Sequence, residues 1–87
     1  MTHQLVFSGF HALSEPIRIQ VIELLKSGEF CVNDMCQRLD IAQSKLSFHL
    51  KALRDADLVS VRQAGRHKYY SLNASQFNYL EGYLSEY

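Results

Sequence analysis

Apolar residues recur at helical spacing along most of the chain and at strand spacing in one place. Val6, Phe7, Phe10 and Leu13 mark a short first helix. Ser14, Glu15 and Pro16 read as a helix start, with a hydroxyl to cap and a proline in the first turn, where no N–H is missed. Ile17, Val21, Ile22, Leu24 and Leu25 then build a thick apolar face, and Gly28 supplies the stop. The pattern predicts a third helix from about Val32 to Leu39, burying Val32, Met35, Cys36 and Leu39. A fourth begins near Gln43 and turns Leu46, Leu50 and Leu53 inward. At about 100° per residue, its opposite side carries Gln43, Ser44, Ser47, Lys51 and Arg54, a strip without an acid. Phe48, Tyr69 and Tyr70 read as core or hairpin packing, and His49 as a packed, hydrogen-bonded imidazole at the edge of the buried face.

Beyond the fourth helix the period shortens. LVSVRQ and KYYSLN are rich in β-branched and aromatic residues and flank Ala64-Gly65-Arg66-His67, which predicts a β-hairpin with the glycine in its turn. From Ser75 the helical period returns, with Phe77, Leu80, Leu84 and Tyr87 forming a seam and Tyr79 and Tyr83 beside it. Such a seam must pack on something, and the first helix has an equally unclaimed apolar face. Two helices joined by a short turn and followed by a hairpin predict a mainly α fold with a small β-hairpin, the winged helix-turn-helix. Eighty-seven residues are expected to form a single domain, spanning 1–87.

Charge sharpens this picture. The formal net charge is zero, yet its distribution is uneven. Between Ser44 and Tyr70 lie Lys45, Lys51, Arg54, Arg62, Arg66 and Lys68 against Asp55 and Asp57. Elsewhere Glu15, Glu23, Glu29, Asp34, Asp40, Glu81 and Glu86 outnumber Arg18, Lys26 and Arg38. One half of the molecule should therefore attract phosphate. In the first turn of the fourth helix, Gln43 and Ser44 offer an amide and a hydroxyl to base edges, with Lys45 and Ser47 beside them. Lys51, Arg54, Arg62, Arg66 and Lys68 suit phosphates, which position a protein without reading sequence. No apolar run approaches the roughly 20 residues that span a bilayer, and no signal-peptide layout opens the chain, so a cytoplasmic protein is expected. Phosphate-binding glycine loops, nucleophile motifs and hydrolase-type His–acid pairs are missing from the sequence, which argues against an enzyme. A winged helix could also serve as a protein-interaction module that docks an acidic partner.

Across nearly its whole length the chain resembles the ArsR/SmtB family of bacterial metal- and metalloid-responsive repressors. The resemblance is carried by ALSEPIRIQVIELL, by QSKLSFHLKALRDADLV and by the wing GRHKYYSLN. It implies a homodimer paired through its first and last helices, with Val6, Phe10, Phe77, Leu80 and Leu84 at the seam. It also implies a double-stranded operator in the form of an imperfect inverted repeat, with half-sites about one turn, or 34 Å, apart. The inducer would bind the protein and release it from DNA, and no cofactor is required for folding.

The family's arsenic-sensing branch carries ELCVCDLC at the start of the third helix, where this chain reads EFCVNDMC. Two thiols therefore carry over, as Cys31 and Cys36, while the middle one is Asn33, a poor ligand for a soft ion. Cys31 falls at a helix N-cap, where a thiol caps less well than an oxygen and where free N–H groups attract an anion. Three readings of the pair follow. Cys31 and Cys36 bind a soft metal or metalloid as inducer, As(III) or Sb(III) first and Hg(II) or Cd(II) next; Hg(II) tolerates two thiolates, and the others would want His3, His11 or an exogenous thiol as third ligand. Alternatively they form a redox switch that closes to a disulfide, or they have no sensing role. The zinc-type site that some members carry on the last helix is rejected, because SQFNYLEGYLSEY holds no histidine.

Overall fold

A computed structural model describes residues 2–87, with side chains defined from residue 4 onward. In chain order the elements are α1 (Thr2–Ala12), α2 (Pro16–Leu25), β1 (Phe30–Cys31), α3 (Val32–Leu39), α4 (Gln43–Asp55), β2 (Val59–Ala64), β3 (His67–Leu72) and α5 (Ala74–Leu84). The five helices and the hairpin follow the apolar periodicity. β1 does not, because two residues carry no period.

Local chemistry sets the element ends. Glu15, not Ser14, caps α2: its Oε1 accepts from the Ile17 N–H at 3.1 Å. That bond holds the Glu15 carboxyl below the ordinary carboxylate range. The Ser14 hydroxyl turns back instead and donates to the His11 carbonyl at 2.6 Å. Helix α2 ends at Leu25, and Gly28, at φ 143°, redirects the chain into β1 where a side chain would be strained. Asp40, at φ 54°, closes α3 in the left-handed conformation, and the Ile41 N–H reaches back to the Cys36 carbonyl at 3.2 Å. The turn that leads to α4 is therefore short and hydrogen-bonded.

The strands form one antiparallel sheet in the order β1-β3-β2. β2 and β3 pair from Val59↔Leu72 to Ala64↔His67, which leaves Gly65 and Arg66 as a two-residue loop. Gly65 has φ 63°, the requirement of a tight hairpin turn at its first central position. β1 adds Phe30↔Tyr70 and Cys31↔Tyr69 on the other side of β3.

Val21, Met35, Leu46, Leu50, Leu53 and Leu58 are fully buried and hold α2, α3, α4 and the sheet around one contiguous core. α1 and α5 pack on each other at its edge. Gly9 allows their close approach, since a Cβ there would stand 2.9 Å from both Leu80 methyl carbons. Buried Gln76 donates to the Ala56 carbonyl at 3.1 Å and the Leu5 carbonyl at 3.4 Å, tying α5 to α4 and α1. This packing divides the residues expected at the seam. Val6 and Leu80, 7% and 4% exposed, are consumed within the chain. Phe10 and Phe77 are half-buried, and of the expected set Leu84 alone remains exposed, at 56%. Phe7, at 68%, is exposed on α1.

Candidate nucleic-acid interface and thiol site

Helices α3 and α4 and the β2–β3 wing assemble the surface to which the charge pattern pointed. Leu46, Leu50 and Leu53 anchor α4 in the core, so its other side is turned outward. Gln43, Ser44, Lys45, Ser47, Lys51 and Arg54 are all exposed. Ala42 stands at the N-cap and makes no side-chain capping bond. Lys51 pairs with Asp55 at 2.8 Å across one helical turn. Both partners are solvated, so the pair holds the lysine weakly and leaves it exchangeable.

Two aromatic side chains of α4 behave differently. His49 is buried as expected, and its Nδ1 accepts from the Arg18 Nε at 3.1 Å, with Glu15 Oε2 at 3.4 Å. This contact ties the start of α2 to the middle of α4. Phe48 departs from the expectation that it packs inside: it is 65% exposed. At about 100° per residue it lies roughly 40° around the helix from Ser44, on the flank of the polar strip. Periodicity could not settle a position so close to the boundary between faces.

On the wing, Arg66, His67 and Lys68 are exposed at or beside the Gly65–Arg66 turn. Arg62 differs from them. Its Nε and second guanidinium nitrogen each donate to a Glu29 carboxylate oxygen at 2.8 Å. Its guanidinium carbon also lies 4.8 Å above the Tyr69 ring. Glu29 stabilises the arginine's charge and largely neutralises it. Because Glu29 and Arg62 are 33 residues apart, only the folded sheet reveals the pair.

Between α3, α4 and the wing tip lies a cleft of about 330 Å³, with Cys31, Asn33, Gln43, Arg66, His67 and Lys68 in its lining. Cys31 is half-buried and belongs to two elements at once, as the last residue of β1 and the N-cap of α3. Its thiol makes no capping bond. Cys36, also half-buried, packs against the core from within α3. Both are free thiols. Five residues of helical rise separate them by about 7.5 Å along the axis alone, beyond the roughly 7 Å between Cα atoms that a disulfide tolerates. Closing a disulfide thus requires the start of α3 to unwind, whereas a bridging metal ion spans a longer gap between the two thiols.

Among the described residues, no group of three or more His, Cys, Asp and Glu side chains gathers at metal-binding distance. His11, expected as a third ligand, stacks on Phe7 at 5.8 Å and lines a separate pocket with Arg18 and Asp55. His3, the other expected donor, lies outside the described side chains. His67, which shares the cleft with Cys31, was not anticipated, since its neighbourhood depends on β1 pairing with β3.

A helix-turn-helix formed by α3 and α4, packed on α2 and followed by a two-stranded basic wing, defines the winged helix-turn-helix. Comparison with known proteins narrows this class. The profile of the bacterial regulatory protein, arsR family, matches residues 15–61. The arsenical resistance operon repressor of Bacillus subtilis strain 168 is 41% identical over 78 residues, covering 88% of this chain and 71% of that protein. The transcriptional repressor SdpR of the same organism is 35% identical over 66 residues, covering 76% and 73% respectively. In structure, the ArsR-like transcriptional regulator from Rhodococcus sp. RHA1 aligns with a TM-score of 0.91 at 25% identity, over 98% of this chain and 80% of that one. The chain belongs to the arsR family of bacterial regulatory proteins, and is a transcriptional regulator, not an enzyme.

Proposed function

We propose that this protein is a dimeric repressor that occupies operator DNA through α4 and the wing and leaves it when a soft metalloid or metal binds at Cys31 and Cys36. The observation that carries the DNA half is the exposed first half of α4, which holds Gln43, Ser44, Lys45 and Ser47 and no acid, beside the cationic wing tip at Arg66 and Lys68. Amide and hydroxyl groups meet base edges, and the cations meet phosphates on either side. ArsR-family regulators bind operator DNA, typically as dimers.

For the trigger, the donor set is two thiols. That set suits a two-coordinate thiophilic ion directly, and suits trivalent arsenic or antimony with a small exogenous thiol as third donor. The chain's own residues supply the coupling. Bringing the Cys31 thiol toward Cys36 takes Cys31 out of its ladder with Tyr69 and opens the first turn of α3. The ladder belongs to the wing, and Met35 in that helix packs behind α4. Both DNA-contacting elements therefore lose support from one displacement. Coupling of this kind usually amounts to about 1–3 kcal/mol, or 5- to 150-fold in operator affinity.

A gel-shift titration under reducing conditions tests both halves. As(III) or Hg(II) should release wild-type protein while Zn(II) does not, and Cys31→Ser should stay bound throughout. Release by peroxide alone would replace the metalloid trigger with a redox switch. Failure to bind any duplex at low salt, where the electrostatic contribution is largest, would instead indicate a protein-interaction module.

A further inference from the structure

We infer that Phe48 is a base-reading residue, and that its ring contacts the C5-methyl group of a thymine in each operator half-site. The inference rests on the operator reading above and adds to it a specified base and a specified side chain. Among the described residues, Phe48 is the one large apolar side chain exposed on α4. It lies one turn beyond Ser44 and three residues before Lys51, on the flank of the surface that would face the groove. Phosphates have no use for such a group. The major groove presents one apolar feature, the methyl of thymine, and phenylalanine is among the side chains that meet it.

The ring is also held in place. It stands edge-on to His49, with centroids 5.3 Å apart and planes at 78°. His49 in turn is buried and fixed by Arg18. An aromatic braced on a buried imidazole loses less conformational freedom on docking than a free one, which favours a fixed reading contact. Covering the ring in the bound state would remove this apolar surface from water, which favours docking.

The test starts by selecting duplexes from a random-sequence pool with the full-length wild-type protein. Each thymine of the selected site is then replaced by deoxyuridine, which removes the methyl and keeps the base pair. At one position or more per half-site, the swap should weaken wild-type binding about fourfold, the value of one buried methyl group. Phe48→Ala should bind thymine and uracil versions equally at those positions, with its salt dependence unchanged, while Phe48→Leu should keep part of the discrimination. A purely structural role would lower affinity for both versions alike and leave their ratio as in wild type, which would overturn the inference. So would a selected site whose uracil swaps have no effect in wild type, although the operator reading would survive. Recovery of no duplex at all would overturn the operator reading and this inference together.

Discussion

Asp57 shows how one residue can set the relation between reading helix and wing. It takes φ 61° at the end of α4, in the left-handed region that a side chain disfavours. The Leu58 N–H then reaches the Leu53 carbonyl and the Asp57 N–H reaches the Arg54 carbonyl, both at 3.0 Å. These are the two bonds of a Schellman motif, and Leu53 and Leu58 make its apolar contact in the core. The Asp57 carbonyl also accepts from the Asn73 side-chain amide at 2.8 Å, so the turn fixes where both strands of the wing leave the helical body. Asp57→Gly should relieve the backbone cost and raise stability by about 1 kcal/mol, or roughly 4–8 °C in Tm for a domain of this size. Asp57→Val should lower it by about 1–2 kcal/mol, because a β-branched residue tolerates this conformation least. Thermal denaturation followed by circular dichroism separates the three proteins, and identical midpoints would contradict the assignment of strain to this site. In the sequence, Asp57 is indistinguishable from Asp55. What separates them is a backbone bond spanning five residues, and side-chain periodicity does not report such bonds. Phe48 is a similar case at the level of a face, since a residue at a helix boundary is placed by its neighbours in space.

At the scale of elements, the long helices and the hairpin were legible because each repeats its apolar period several times. β1 was not, because its two residues become a strand only through Tyr69 and Tyr70, 38 or more positions later in the chain. With β1 unread, the Glu29–Arg62 pair and the Cys31–Tyr69 ladder were invisible too, and Arg62 looked like one more phosphate contact. Its charge is met by Glu29 instead, which changes what the wing should do in binding. Arg66→Ala and Lys68→Ala should each reduce the slope of log affinity against log salt by about 0.9, the value of one phosphate contact on duplex DNA. Arg62→Ala should leave that slope unchanged. Glu29→Ala should strengthen binding at low salt, because it frees Arg62 and removes an acid beside the polyanion. Fluorescence anisotropy on one duplex at several salt concentrations measures all four variants. A slope change for Arg62→Ala equal to that for Arg66→Ala would return Arg62 to the phosphate-contacting set.

The whole molecule presents two different surfaces. One is the polar and cationic face of α4 and the wing; the other is the α1–α5 edge, where Leu84 remains exposed after Val6 and Leu80 have been buried within the chain. For two copies to read an inverted repeat, they must be joined at a separation that suits successive major grooves, and the second surface is the one expected to join them. The packing of α1 on α5 divides the apolar residues of that edge into two functional sets. Leu80→Ala removes a side chain that is 4% exposed in the single chain, so it should cost about 2–5 kcal/mol of folding stability whatever the assembly state. Leu84→Asp places a charge on a side chain that is 56% exposed and should leave the single chain folded. If α1 and α5 form the seam, Leu84→Asp should sediment as a monomer with an unchanged circular dichroism spectrum. Its affinity for a two-half-site duplex should fall by about 10²- to 10⁴-fold, because the second half-site is no longer bound by a tethered partner. If dimerisation and base contact are separate tasks, affinity for an isolated half-site should hardly move, since Leu84 ends α5 and the expected base contacts are on α4. A dimer that persists in Leu84→Asp would instead locate the seam elsewhere on the molecule, and the spacing of the two reading helices would have to be derived from that other face.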